Sequence, residues 1–411
     1  MRRFVNLYIV LFLIDAGLSL QDELLTFFSA PVPTLSGLRF LIAFLVILLS
    51  LLVYPVMGID RRLPKRVLLP LTLYVFWGAM ALWPLQGMIA RDHFAVMAAF
   101  GQVFIGGIAV ITLRNFYGNG SILLPEEHFT GPLFNWRNTL TFFTVNLLLL
   151  PIFAVYFLMA SAGVYLDQST AGFMRLSPVG LYTAERSYHH GTKSVRLAAM
   201  MHIGREGYYQ ELVDSLPAEK TVILAEGVTD RDGLLKGQFH YGKLAGLVGL
   251  SSQESMHLDG NLIDLADLDS PAENSKDDAT RPDIVRADLD ISSFKPGTIE
   301  FLNLLGRTLL GTKPFVQAFE EYSGWIKSHQ NPELYSAVMK DILDKRNQIA
   351  IDSFQRSLKR YDTIVIPWGA MHMPAIEAAV LKQSFVRDGE RERLVVDFRA
   401  LPYGKLLETL Q

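Results

Sequence analysis

The chain has 411 residues, 50% of them hydrophobic and 19% charged, with no cysteine and a formal net charge of −3. This composition excludes a disordered chain, thiolate metal sites, cysteine nucleophiles and disulfide frameworks. The charge is unevenly spread: residues 1–166 hold 10 Lys/Arg and 7 Asp/Glu, whereas residues 167–411 hold 28 and 34. The first region therefore reads as membrane and the second as a globular domain with a full core, which rules out a purely soluble protein. The second region is net −6 without a basic stripe, which argues against nucleic acid as a partner.

Five apolar stretches are long enough, or nearly so, to cross a hydrocarbon core of about 30 Å. They lie near Phe4–Leu20, Leu38–Met57, Val67–Ala90, Phe94–Leu113 and Leu140–Leu166. The first begins with Met1-Arg2-Arg3, as a signal peptide does, but Gln21-Asp22-Glu23 is not a small-residue cleavage pattern, so it reads as a helix. With five spans, Arg2, Arg3, Arg61, Arg62, Lys65, Arg66, Arg114 and Arg137 fall on one side, and Arg39 and Arg91 on the other. The positive-inside rule then puts the N-terminus in the cytoplasm and residues 167–411 outside it, in a bacterium the periplasm or the exterior. Asp15 is the one acid inside a span, expected near a helix end where it reaches interfacial water. Without an internal repeat or a broken-helix pair, the spans read as an anchor in the lipid bilayer rather than a transporter.

In the second region, Ser194–Ile203 reads as a buried strand, Arg205–Ser215 as a helix and Thr221–Val228 as a second buried strand. Thr298–Leu310, Pro314–Lys327 and a stretch from Asn331 to about Arg360 read as helices. Thr363–Pro367 reads as a third strand, Ala375–Gln383 as a helix after Pro374, and Arg393–Phe398 as a fourth strand. The expected fold is a multi-span α-helical membrane region followed by an α/β domain, its largely parallel central sheet flanked by helices. Ser251–Asp290 stands apart, with 11 Asp/Glu against 3 Lys/Arg, and reads as an exposed, mobile acidic insertion. It lacks the spacing of a calcium loop. His189-His190 reads as part of a flexible polar loop.

Three residues fall where a parallel sheet binds ligands, at the carboxyl ends of strands. His202 ends the first strand, Glu226 the second, and His372 follows the third after Trp368-Gly369-Ala370-Met371. Two imidazoles and a carboxylate can hold a divalent ion with positions left for water, and zinc, manganese and cobalt all suit such ligands. Gly369 and Gly227 are expected to ease sharp backbone turns beside them. Tyr208 and Tyr209 either line the pocket or pack.

Ala199-Met200-Met201-His202, Leu224-Ala225-Glu226-Gly227, Arg346-Asn347 and Gly369-Ala370-Met371-His372-Met373-Pro374 resemble, in order, the motifs of the TraB/TIKI superfamily. That group includes GumN and pheromone-shutdown proteins and is similar to erythromycin esterase and ChaN folds. The resemblance covers about Val195–Phe398; Ala199 stands where the family has Gly, and the acidic stretch is unmatched. It implies a metal-dependent hydrolase, membrane-tethered proteases being among the family, with His202, Glu226 and His372 as site residues. Arg346 enters the site by the same match, where it would bind a substrate carboxylate or an oxyanion, and Asn347 would orient a ligand or the arginine. Whether Glu226 is metal ligand or general base stays open. The rival readings are a pocket that holds a haem, a metal or a small signal without turnover, and a structural membrane module.

Overall fold

The computed structural model describes the chain apart from residues 88, 90, 118–119, 218–219, 237–244, 246–249, 254–255, 270–280, 309–314, 329–331 and 405–411. The chain forms two compact units, Met1–Val164 and Tyr165–Gln411.

The first unit is built from α1 (Arg2–Phe27), α2 (Pro33–Ile59), α3 (Lys65–Ala79), α4 (Arg91–Phe116) and α5 (from Trp136, running to Ser169). Four of these, α1, α2, α4 and α5, are long and apolar enough to cross a membrane. The expected span Val67–Ala90 is not one continuous helix. Its helix, α3, has 15 residues and so extends about 22 Å, short of the hydrocarbon thickness. The apolar sequence continues, but the helix does not, because Ala81 and Leu82 adopt positive φ (52° and 47°) and turn the chain.

Packing joins α1 to α2 and α4, and α3 to the same two helices, around a core that includes Val5, Phe12, Val53, Leu68, Leu71 and Leu113. Phe40, Phe104, Leu147, Leu148 and Leu158 face outward, an apolar exterior that water disfavours and lipid accepts. At one end of the bundle Arg2 pairs with Glu126 at 3.1 Å, Arg62 donates to the Phe129 carbonyl at 2.9 Å and Lys65 to Asn138 Oδ1 at 2.7 Å. At the other end Arg39, early in α2, donates to Asp22 and Glu23, late in α1, at 2.9 and 2.5 Å. The two groups of charges thus cap opposite ends.

In the second unit the strands are β1 (Met174–Ser177), β2 (Gly180–His190), β3 (Lys193–Met200), β4 (Ile203–Gly204), β5 (Thr221–Ala225), β6 (Ser251–Ser252), β7 (Asn261–Ile263), β8 (Asp283–Arg286), β9 (Thr363–Gly369) and β10 (Val386–Asp397). The main sheet runs β1-β2-β3-β9-β5-β8-β7, with β10 on the other edge of β2. The pairs β3–β9, β9–β5, β5–β8 and β8–β7 are parallel, while β1, β3 and β10 meet β2 antiparallel. The sheet is therefore mixed, its parallel half lying where apolar runs such as Thr221–Ala225 are buried on both faces. Trp368, Leu224, Val195, Phe354 and Ile376 lie in its core.

Two expectations change here. The stretch 251–290 is not a solvated insertion throughout: β7 and β8 extend the parallel sheet from within it, and Val285 is fully buried. Its parts at 254–255 and 270–280 lie outside the described residues. His189 and His190 close β2 rather than a flexible loop; His189 Nδ1 lies 3.1 Å from Asp388 Oδ2 on β10 and the His190 ring packs edge-on to Phe385. The polar residues of β2 hide the strand because their charges are buried in pairs. Glu185 meets Arg393 and Arg196, and Arg186 meets Glu377 at 3.0 Å and Glu390 at 2.9 Å.

Candidate functional site

Because β3, β9, β5 and β8 are parallel neighbours, their carboxyl ends share one edge of the sheet. Each is followed within three residues by a polar or charged side chain: His202 after β3, His372 after β9, Glu226 after β5 and Asp288 after β8. A long helical segment supplies the fifth group. Pro332–Met339 is α-helical, Lys340–Lys345 is wound as a π-helix, and Arg346 opens the α-helix Arg346–Ser357. Such π segments recur at functional sites, where they re-aim a side chain.

Arg346 is the hub. Its Nη2 donates to Glu226 Oε1 and to Asp288 Oδ2, both at 2.7 Å, and its Nε donates to Asp288 Oδ1 at 3.0 Å. The guanidinium also lies 5.4 Å from the ring centre of the buried Trp368. Burial works against the Arg346 charge, but Asp288 and Glu226 outweigh it and hold its pKa above the ordinary value. Backbone donors complete the two acids. Gly369 N–H reaches Glu226 Oε2 at 2.6 Å, Gly227 N–H reaches Asp288 Oδ2 at 3.0 Å and Leu289 N–H reaches Asp288 Oδ1 at 2.8 Å.

His372 is 4% exposed. Its Nδ1–H donates to Asn347 Oδ1 at 2.7 Å, which leaves Nε2 as an acceptor, 3.3 Å from Arg346 Nη1 and 3.7 Å from Glu226 Oε1. Burial pushes its pKa down to about 4. Glu226 and Asp288 pull the other way and Arg346 and His202 reinforce the fall. The imidazole is thus neutral at neutral pH. Trp368 packs edge-on to this ring at 5.1 Å and is itself fixed by its Nε1–H to the Leu224 carbonyl at 2.9 Å.

The structure therefore brings Glu226, Arg346 and His372 together and adds Asn347 and Asp288. His202 stands on the same sheet edge, but its ring is exposed and its Nδ1 pairs with Gln253 Oε1 at 2.7 Å. Asp288 escapes a reading of the sequence because the strand before it has only Ile284-Val285 as an apolar signal, set among acids. The glycines act differently from expectation: neither Gly369 nor Gly227 has positive φ. At Gly369 a Cβ would stand 3.4 Å from Glu226 Oε2, an ordinary contact, so neither backbone angle nor space there requires glycine. Ala199 lies in β3 with ordinary strand geometry opposite Trp368, so alanine carries no backbone penalty there. Tyr208 and Tyr209 pack rather than line the site, bonded through Thr183 Oγ1 at 3.0 Å and the Met201 carbonyl at 2.8 Å.

In this arrangement the donor set does not fit a resident divalent ion. Both Glu226 oxygens are engaged, and the guanidinium occupies the corner between Glu226 and His372 where a cation would sit. Among the described residues no group of three His, Asp or Glu side chains is gathered to hold a metal. What the edge does offer is space beside Glu226. A cavity of about 520 Å³ is lined by Glu226, Thr229, Arg231 and Arg286, and a second of about 250 Å³ by Glu226, Met200, Gln253 and Met256. No family model, curated protein or solved structure matches the chain.

Proposed function

We propose that this chain is a membrane-anchored hydrolase, its sheet unit acting on the carbonyl of a peptide bond. The observation that carries this reading is that Glu226 lines both cavities at the strand ends while bonded to the buried Arg346. Each Glu226 oxygen accepts one bond, from Arg346 or from Gly369 N–H, and keeps a second lone pair, with which the carboxylate can take a proton from an attacking water, the work of a general base. Arg346, held against Glu226, offers fixed positive charge to the oxyanion that forms. Asp288 and Asn347 act as positioning residues: one holds the guanidinium and the other fixes the tautomer of His372. The neutral His372 leaves an acceptor nitrogen beside Glu226 through which a proton can pass. Arg231 and Arg286 on the larger cavity, which Asp230 and Glu226 also line, can pair with a carboxylate of the substrate. The order of motifs shared with TraB/TIKI proteins is consistent with hydrolysis. The metal route implied by that resemblance would require Arg346 to leave Glu226.

The proposed topology keeps the N-terminus in the cytoplasm and the sheet unit outside it. The gathering of Arg2, Arg62 and Lys65 at one end of the bundle supports it. So does the path of the chain. The segment from Lys65 starts at that end, and α4 returns to it, since Tyr117 and Arg62 both contact His128. Thus α3 with Met80–Gly87 completes a traverse that α3 alone is too short to make.

The test is hydrolysis of a peptide and ester library by the full-length chain in detergent, beside Glu226→Gln. Turnover that falls about a hundredfold or more in the variant, assayed at a temperature where both proteins are folded, is expected. Equal turnover in the two proteins would remove Glu226 from the chemistry. Unfolding of the variant without any turnover by the parent would favour the structural reading, which the closed Arg346 network otherwise supports.

A further inference from the structure

The helical unit buries a second polar constellation, independent of the strand-end site. Asp15 is expected near a helix end from the sequence, but α1 runs 26 residues from Arg2 to Phe27 and places it at mid-helix, 5% exposed. Gln102 Nε2, on α4, donates to Asp15 Oδ2 at 2.7 Å. The other oxygen, Oδ1, is buried and has no hydrogen-bond partner among the described residues. The backbone cannot help it, because mid-helix N–H groups are spent on the helix itself. A buried acceptor without a donor is costly, so the site is poised to take one up.

Space for that donor is present. Asp15 lines a cavity of about 370 Å³ bordered by residues of α1, α2, α3 and α4, among them the polar Glu23, Arg39 and Gln102 and the apolar Val75 and Phe94. The cation that lines it is already committed, since Arg39 donates to Asp22 and Glu23. The Arg39 guanidinium is thus held by Asp22 and Glu23 and makes no hydrogen bond to Asp15.

We propose that this cavity binds a small organic cation, a primary ammonium group on a short apolar body. The ammonium donates to Asp15 Oδ1 and the body rests against Val75 and Phe94. A bare metal ion fits worse, because it needs about six oxygen ligands whereas an ammonium has three donors to place. The volume is also that of a small-molecule pocket rather than an ion site.

The test uses the full-length chain in detergent, with butylammonium chloride as the probe and sodium chloride at matched ionic strength as the control. Calorimetry should give saturable butylammonium binding, and Asp15→Asn, which keeps the shape and removes the charge, should weaken it about ten- to a hundredfold. Gly78→Leu is the second variant. Gly78 lines the cavity and a Cβ there meets no atom within 4 Å, so the larger side chain enters open space and should abolish binding while leaving the fold intact. Absence of saturable binding to the folded parent, equal affinity in either variant, or an equal response to sodium would each overturn the proposal.

Discussion

Glu226 and Asp15 are both buried acids, one in each unit, and their surroundings differ in kind. Glu226 follows a strand, and both its oxygens are matched, one by Arg346 and one by Gly369 N–H. Asp15 sits in the middle of a helix, where Gln102 matches one oxygen and nothing among the described residues matches the other. The contrast has a backbone origin. The end of a parallel strand leaves N–H groups unspent, and three of them, on Gly369, Gly227 and Leu289, turn toward the acids. A helix interior has spent its donors, so an acid there depends on neighbouring side chains.

The largest expected effect breaks that contrast from the sheet side. Arg346→Met leaves Glu226 and Asp288 buried without their cation. It should cost roughly 3–5 kcal/mol, read by denaturant unfolding of the full-length chain. Asp15→Asn, by comparison, removes a charge with an unmatched oxygen and should shift stability by less than about 1 kcal/mol. Equal losses in the two variants would mean that the two acids are satisfied alike.

The next effect is a pH dependence. The folded-state pKa of His372 is about 4, below its ordinary 6.5, so the unfolded chain binds more protons between those values. Stability from this group is complete above pH 6.5 and is lost as pH falls toward 4, by on the order of 3 kcal/mol. Unfolding followed across that window should show the loss, and His372→Gln should flatten it. An unchanged slope in the variant would place the proton uptake elsewhere.

Metal content sharpens the account of the strand-end site. With Arg346 in the corner between Glu226 and His372, the purified chain and its His202→Ala/His372→Ala variant should carry equal and substoichiometric metal by elemental analysis. About one equivalent in the parent, lost in the variant, would mean that Arg346 yields its place to an ion. The smallest effect concerns the support beneath the site. Trp368→Phe removes the bond to the Leu224 carbonyl and should cost about 1 kcal/mol, with a modest fall in turnover.

The strands that carry the site are legible because burial on both faces writes them as apolar runs: Ser194–Ile203, Thr221–Val228 and Thr363–Pro367 hold β3, β5 and β9, although β3 ends at Met200 and β5 at Ala225, and the residues beyond them reach one edge. Asp288 is hidden because β8 is four residues long and flanked by acids. β2 is hidden by buried ion pairs, which no polarity pattern separates from solvent-exposed charge. In the helical unit, apolar length is plain but helix length is not, since the positive φ of Ala81 and Leu82 is a tertiary choice that apolar residues do not announce. Asp15 falls near the end of an apolar run that stops at Leu20, but not near the end of a helix. The helix α1 continues through Gln21-Asp22-Glu23 to Phe27, its acids neutralised by Arg39 from the next helix.

The central claim, that the edge holding Glu226, Arg346 and His372 performs hydrolysis, meets its most direct test in one assay. Full-length protein and Glu226→Gln are compared on the same peptide library, with cleavage read by mass spectrometry and folding checked in parallel. Cleavage by the parent is expected, with near-complete loss in a variant that remains folded at the assay temperature. Cleavage that persists undiminished in the variant would contradict it.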